Sequence, residues 1–415
     1  MSAINLKNCE WEAMIQTSKS DSIMLNNKSI DTPTSNEITT IYSRVISQGR
    51  QGINVSNTKT SLNDSLNQAY KIARLTPKKE LMPKISSANK FSIERMSYKD
   101  FDEKKIVEST EEIRSIIGDK APILEFMIKK DRSDILYVNY LGARISLKTD
   151  ALGMRIMLGK DDQIGSNISL LSGKKPSLKE FAERAIRQYN YSKILSRPTS
   201  GDYPVIFCNE ALNTAMIPVL FSLKGDSVCE KKSRFTESLG KKELSKDLTI
   251  IDNSFEKNNR WYMDFEGNRA KKTVLVRNGV INSFLHDSYT SEKLGMKNTA
   301  NSASMTLKPS VSYHCISIKG KDRLKDMIKS VKEGFIVYDL YPEHTVNTAT
   351  GAFGQNSTTI YYIKNGEIQG LAKGYVVMGN SYEIFKKPLE VSKETRNDLA
   401  GELGAVKAKA RILKN

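Results

Sequence analysis

Two Asn-Gly pairs place the tightest local constraint on what this chain can fold into. Asn278-Gly279 lies between Thr273-Val274-Leu275-Val276-Arg277 and Val280-Ile281. Asn365-Gly366 lies between Thr359-Ile360-Tyr361-Tyr362-Ile363-Lys364 and Glu367-Ile368. A two-residue loop of type I′ needs positive φ at both central residues, which Asn and Gly accept at little cost. Each pair therefore predicts a tight antiparallel hairpin, and the chain after about Ser200 reads as mainly β. Within that part, the spacing predicts two helices, one opening at Asn209 and one over 322–331. Pro218 should end or kink the first, since it lacks an N–H to donate.

The earlier part alternates differently. Ile41-Tyr42-Ser43-Arg44-Val45-Ile46 is β-branched and aromatic, Gln48-Gly49-Arg50 supplies a turn, and Ile53-Asn54-Val55 resumes the alternation. Ser61 stands as an N-cap before Leu62, Leu66, Ala69 and Ala73 at helical spacing. A Lys- and Pro-containing stretch from Thr76 to Ser87 reads as a linker. Ile106, Ile113, Ile116 and Ile117 then mark a helix face. Four strands follow at 124–127, 135–140, 143–147 and 153–158, with a turn over 159–162. Pro176-Ser177-Leu178-Lys179-Glu180 resembles a capping box ahead of Phe181, Ala185, Ile186 and Tyr189. Strand, turn, strand and capped helix thus occur twice, as an internal duplication would leave them. The expected architecture is α+β: N-terminal α/β units over residues 1–77 and 78–198, then a mostly β domain over 199–415.

Composition narrows the class of partner. The 415 residues carry a formal charge of +17, which invites nucleic acid, anionic lipid or an acidic protein. The lysines are dispersed among acidic residues, as in Asp100-Phe101-Asp102-Glu103-Lys104-Lys105, and the plainer reading is a solvated surface. That argues against nucleic acid as a partner. No apolar run reaches membrane-spanning length, and Met1-Ser2-Ala3-Ile4-Asn5 lacks the regions of an export signal. Cys9, Cys208, Cys229 and Cys315 form no CxxC pair, so a reducing cytoplasm is expected. The three histidines, His286, His314 and His344, sit in separate segments. They read as surface or hydrogen-bonded groups rather than ligands.

Further segments carry a family resemblance. Arg44-Val45-Ile46 with Gly49-Arg50-Gln51-Gly52, Asp264-Phe265-Glu266-Gly267 ahead of the first hairpin, and Leu285-His286-Asp287 follow one another in a distinctive order. Ser288 to Thr299, Val346-Asn347-Thr348-Ala349-Thr350-Gly351-Ala352-Phe353 and Met378-Gly379-Asn380 complete it. Order and spacing together resemble the TldD/PmbA family, whose PmbA branch is also called TldE. TldD-like members carry a His-Glu-x-x-x-His helix and a further Cys near the C-terminus, and act as zinc peptidases. Here the matching stretch is Asn209-Glu210-Ala211-Leu212-Asn213-Thr214, with no cysteine after Cys315 and Leu399-Ala400-Gly401-Glu402-Leu403-Gly404-Ala405 near the end. Asn209 and Thr214 stand in place of the two histidines and only Glu210 survives. Zinc needs three protein ligands and an open position to activate water, so three lost ligands leave no such site.

The resemblance then implies a PmbA-like, non-catalytic subunit of a cytoplasmic peptidase complex acting on small or unfolded peptides. A TldD-like partner, in a heterodimer or heterotetramer, would supply the zinc, and this chain would need no cofactor of its own. Self-association without that partner stays open. So do an autonomous metallopeptidase with unrecognised ligands and a nucleic-acid-associated regulator. Asp264 and Glu266 at i, i+2 have the spacing of an acid–base pair, but Gly267 after them reads more simply as a solvated turn. Asn347, Thr350 and Gly351 either line a substrate cleft, as the family suggests, or serve loop capping. Glu210 reads most simply as a first-turn carboxylate capping its helix.

Overall fold

The computed structural model describes the chain except residues 1–5, 7, 27–28, 58–59, 86, 161–162, 174, 258–259 and 398–400. Met1 to Asn5, Ser86, Asp161, Asp162, Leu399 and Ala400, read above, lie outside the described residues. Strands β1 (Glu10–Asn26), β2 (Thr34–Ser47) and β3 (Arg50–Asn57) make an antiparallel meander, closed by helix α1 (Leu62–Leu75). Strand β4 (Lys90–Arg95) and helix α2 (Glu103–Ile117) come next. The first order then returns as β5 (Ile123–Asn139), β6 (Arg144–Lys160), β7 (Gln163–Ser172) and α3 (Leu178–Ser192). Because β1 and β5 pair with each other, the two meanders form one sheet in the order β3-β2-β1-β5-β6-β7. β4 adds parallel to the first part of β6. The expected repeat is therefore a three-strand meander plus helix, present twice.

Local chemistry explains the parts that were legible. Gln48 and Gly49 turn β2 into β3 with φ of 49° and 73°. Ser61 and Ser177 each accept the N–H three residues on, from Asp64 (3.1 Å) and Glu180 (3.2 Å), and so start α1 and α3. Ile106, Ile113 and Ile117 of α2 and Phe181 and Ala185 of α3 are buried against Phe126, Ile128, Met154 and Ile156 of the sheet.

The four short strands expected over 124–158 are two strands of 17 residues each, β5 and β6. The apparent break in β5 is Lys129-Lys130-Asp131-Arg132-Ser133-Asp134, a polar waist that pairs with the equally polar Thr17 to Ser22 of β1. Without alternating apolar residues, the periodicity signal vanishes although the backbone ladder continues. The same polarity hides much of β1. Gly159 and Lys160, expected in a turn, still belong to β6. Among the described residues, the stretch from Thr76 to Ser87 has no regular structure, but Pro83, Ile85 and Ser87 are buried and Lys79 donates to the carbonyls of Gly49 and Leu307. It is a packed connection rather than a free linker.

The second sheet has twelve strands. Strand β8 (Gly201–Phe207) lies inside it, antiparallel to Gly401–Lys414 and parallel to Glu333–Val337. Helix α4 (Asn209–Ser222) follows and is buried nearly all round, through Ala211, Leu212, Ala215, Met216, Val219 and Leu220. Both Asn-Gly hairpins form, with φ of 48° and 80° at Asn278-Gly279 and 53° and 77° at Asn365-Gly366. Beyond the two helices expected here, short ones form at Gly225–Cys229, Ser288–Lys293 and Ser381–Lys386. The second expected helix is confined to Leu324–Lys329.

A buried ionic cluster joins the two sheets. Arg44 on β2 faces Glu12 on β1 and donates from Nε to Glu12 Oε1 at 2.5 Å. Its Nη2 donates to Glu266 Oε1 of the second sheet's domain at 3.1 Å. Tyr137 donates to Glu12 Oε2 (2.6 Å), and the Ser288 N–H donates to Glu266 Oε2 (2.9 Å). Removing the guanidinium leaves two carboxylates buried without a counter-ion. Arg44→Met should therefore cost about 3–5 kcal/mol in urea denaturation, and adding Glu12→Gln and Glu266→Gln should restore most of it. Gly52 tests the packing of α1 separately. A Cβ there would lie 1.9 Å from the Ala69 carbonyl oxygen and 2.3 Å from the Ala73 nitrogen. Gly52→Ala should lose about 2–3 kcal/mol by the same measurement, because backbone rather than a flexible side chain must give way.

Candidate functional site

β8 delivers α4 to the boundary between the two sheets. Cys208, the N-cap, makes no side-chain cap bond, and its N–H donates to the Val337 carbonyl at 2.8 Å. The Ala211 N–H reaches the Tyr338 carbonyl at 3.2 Å. The first turn of α4 faces a cavity of about 730 Å³. Glu210, Asn213 and Thr214 form one wall, the run from Tyr341 to His344 another, and Arg155 and Asn167 of the first sheet a third.

Glu210 does not cap its helix. Its Oε1 accepts the hydroxyl of Ser169 on β7, so the carboxylate is turned toward the first sheet. Burial raises its carboxyl above the ordinary range, and Asp339 and Glu343 add to the rise. The Ser169 bond and Arg155 oppose it. Thr214 Oγ1 donates to the Leu340 carbonyl at 3.4 Å. Pro218 does not end the helix, which continues to Ser222. Asp339 is tied down by Ser357, Thr358 and Thr359.

These donors do not fit a zinc ion. Glu210 holds a serine hydroxyl, Asp339 is held by Ser357, Thr358 and Thr359, the Thr214 hydroxyl holds a carbonyl, and Glu343 and His344 sit exposed in a 3-10 turn. Among the described residues, no three His, Cys, Asp or Glu side chains converge as ligands. Nothing local in the sequence pointed to Ser169, Arg155 or Asp339. They come from distant elements, and Ser169 lies on a strand that the periodicity did not reveal.

Asp264, Glu266 and Gly267 lie elsewhere, in a turn seated on the first sheet. The turn was expected, but its carboxylates are buried rather than solvated. Asp264 Oδ1 accepts the N–H groups of Glu266 (3.0 Å) and Asn268 (2.9 Å), and Oδ2 that of Ser302 (3.2 Å). Burial and the Glu266 charge raise its carboxyl. Gly267 has φ +69°, and a Cβ there would lie 2.3 Å from the Tyr137 ring. Asn347 and Thr350 are exposed on a loop that runs into the buried Gly351, and Asn347 Oδ1 accepts the N–H groups of Ala349 (3.0 Å) and Thr350 (2.9 Å). None of these six residues lines the Glu210 cavity.

Two of the three histidines are buried. His314 Nδ1 lies 2.8 Å from Ser254 Oγ, whose own proton goes to the Lys271 carbonyl. The ring therefore donates from Nδ1, and burial lowers its pKa to about 4, which favours the neutral form. His286 is likewise lowered to about 4. Burial pushes the thiols of Cys208 and Cys315 up to about 12, which makes them poor nucleophiles.

Residues 200–411 match the PmbA/TldA metallopeptidase C-terminal domain, and residues 11–74 match domain 1 of the same family. The chain is 27% identical over 239 residues to a metalloprotease TldD homolog of Buchnera aphidicola, a match covering 55% of this chain and 48% of that protein. It is 24% identical over 403 residues to a metalloprotease of Archaeoglobus fulgidus, covering 94% of this chain and 92% of that one. Several curated relatives are thus matched over only about half of their length. The fold is that of TldE from Thermococcus kodakarensis, with a TM-score of 0.85, 20% identity, and coverage of 98% of this chain and 96% of that one. Two family domains matched in order, together spanning more than half of the sequence, place the chain in the PmbA/TldD metallopeptidase family.

Proposed function

We propose that this chain is the non-catalytic, TldE-like subunit of a TldD/TldE-type zinc peptidase complex in the cytoplasm. The observation that carries the proposal is the first turn of α4. The one acidic residue retained there, Glu210, holds Ser169 of the chain's own sheet instead of standing free for a metal or a water. A zinc centre needs an open position and a basic ligand set. This turn offers neither, so the metal and the peptide-bond chemistry belong to a TldD-like partner. The role left to this chain is to assemble with that partner and to limit access to its site, so that small or unfolded peptides enter and folded proteins do not. The relatives' names, TldD homolog and TldE, support such a pairing.

Native mass spectrometry of the complex isolated from its host tests the assembly. The expected result is a heteromer with one zinc per sister chain. Zinc retained by a homo-oligomer of this chain would overturn the proposal.

Glu210 gives an independent test. In the reconstituted complex, Glu210→Gln should change peptidase turnover by less than about twofold, because the residue takes no part in chemistry. A loss of a hundredfold would instead make it catalytic. The same variant has a stability signature. A carboxyl with a raised folded pKa contributes stability that is fully present below its unfolded value, near 4.5, and is lost as pH rises through the folded value. Urea denaturation at successive pH values should therefore show a smaller decline above pH 4.5 for Glu210→Gln than for the wild-type chain.

A further inference from the structure

A second cavity, of about 480 Å³, lies between the first sheet and the segment from Arg260 to Phe265. That volume is within the roughly 300–1,000 Å³ range of ligand pockets. Its floor is apolar, formed by Met14, Ile135, Leu147 and Leu171, and Trp261 and Tyr262 form an aromatic wall. Four cations line it: Arg95, Lys129, Arg132 and Arg260. Two of these are neutralised, Lys129 by Asp131 at 2.9 Å and Arg132 by Asp134 at 2.8 Å. The other two have no carboxylate partner among the described residues. Arg95 donates to the Lys257 carbonyl, and Arg260 lies over the rings of Phe255 and Tyr262. The remaining acids of the wall are committed to backbone. Asp150 accepts the N–H groups of Ser97 (2.7 Å) and Tyr98 (2.8 Å), and Asp264 is held as described above. Ser133 Oγ, also in the lining, is buried without a partner among the described residues.

An apolar floor, an aromatic wall, two uncompensated guanidinium groups and an orphan hydroxyl together define a ligand with an apolar body and a carboxylate. Arginine suits that carboxylate because its planar fork can bind both oxygens. Strand register then gives a direction. Ala151, Gly153 and Arg155 of β6 face the same side as Leu171, Ser169 and Asn167 of β7, with Gly153 opposite Leu171 and Arg155 opposite Ser169. Ala151 and Leu171 line this cavity, while Arg155 and Asn167 line the Glu210 cavity. The two openings thus share one sheet face, about 13 Å apart at the rise of a strand, a span of four extended residues.

The geometry points to this second cavity as a binding site for the C-terminal end of a short peptide, its carboxylate on Arg95 and Arg260, an apolar side chain on the floor, and its chain running toward Glu210. The choice of a peptide rests on the function proposed above, whereas the chemistry of the pocket does not.

Trp261 makes the site observable, since the only other tryptophan is Trp11. The isolated full chain, in a Trp11→Phe background, is titrated by fluorescence with an N-acetylated tetrapeptide ending in Phe-Leu. The free acid should change the Trp261 emission saturably, and its C-terminal amide should bind at least tenfold more weakly. Arg260→Gln should weaken the free acid about tenfold, and Arg260 is exposed, so the fold is not at stake. Equal binding of acid and amide, or no response to either, would overturn the site. Octanoate binding more tightly than the peptide acid would overturn the peptide assignment. Because no partner chain is present, failure here is distinguishable from failure of the assembly test.

Discussion

A single guanidinium holds this structure in register. Arg44 lies buried between Glu12 of its own sheet and Glu266 of the following domain, and Tyr137 closes the cluster from β5. A buried ion pair gains little over an apolar substitute, but losing one partner is severe, because the remaining charge has nowhere to go. Here two carboxylates depend on one cation, with the buried Asp287 carboxyl nearby, itself raised to about 6 by burial and the Glu266 charge. The turn from Asp264 to Gly267 can therefore sit on the sheet in only one way. Gly267, held against the Tyr137 ring, and the Ser87 hydroxyl, donating to the Gly267 carbonyl at 2.8 Å, fit that same placement.

Both cavities follow from this seating. The segment from Arg260 to Phe265 is the near end of the same turn and roofs one of them. The other opens where α4, carried by β8, meets β6 and β7. Each has one wall from the first sheet and one from the second domain, so neither exists in either unit alone. The sheet face between them is partly open, and the polar waist of β1 and β5 borders it.

The Glu210 cavity takes its shape from the core around α4. The helix, its apolar packing and its approach from β8 all belong to that core. Ser169 holds the Glu210 carboxylate there, which satisfies a group that burial disfavours as an anion. That bond ties the first turn of α4 to β7.

Much of the fold was legible because it rests on short-range chemistry. Asn278-Gly279, Asn365-Gly366 and Gln48-Gly49 determine their turns through φ, and Ser61 and Ser177 determine helix starts through one hydrogen bond each. What the sequence left undetermined was set by contacts between distant residues. The polar waist of β1 and β5 carries no apolar period, so β5, 17 residues long, looked like two fragments and β1, of the same length, gave no strand signal. Asp264 and Glu266 looked solvated because the burial that surrounds them comes from Arg44, Tyr137 and Ser288, up to 222 positions away. Likewise Glu210 looked like a helix cap because its true partner, Ser169, reaches it only once the two sheets have met. Local propensity acts through neighbours in the chain, whereas burial and pairing act through neighbours in space, and only the folded molecule determines the second set.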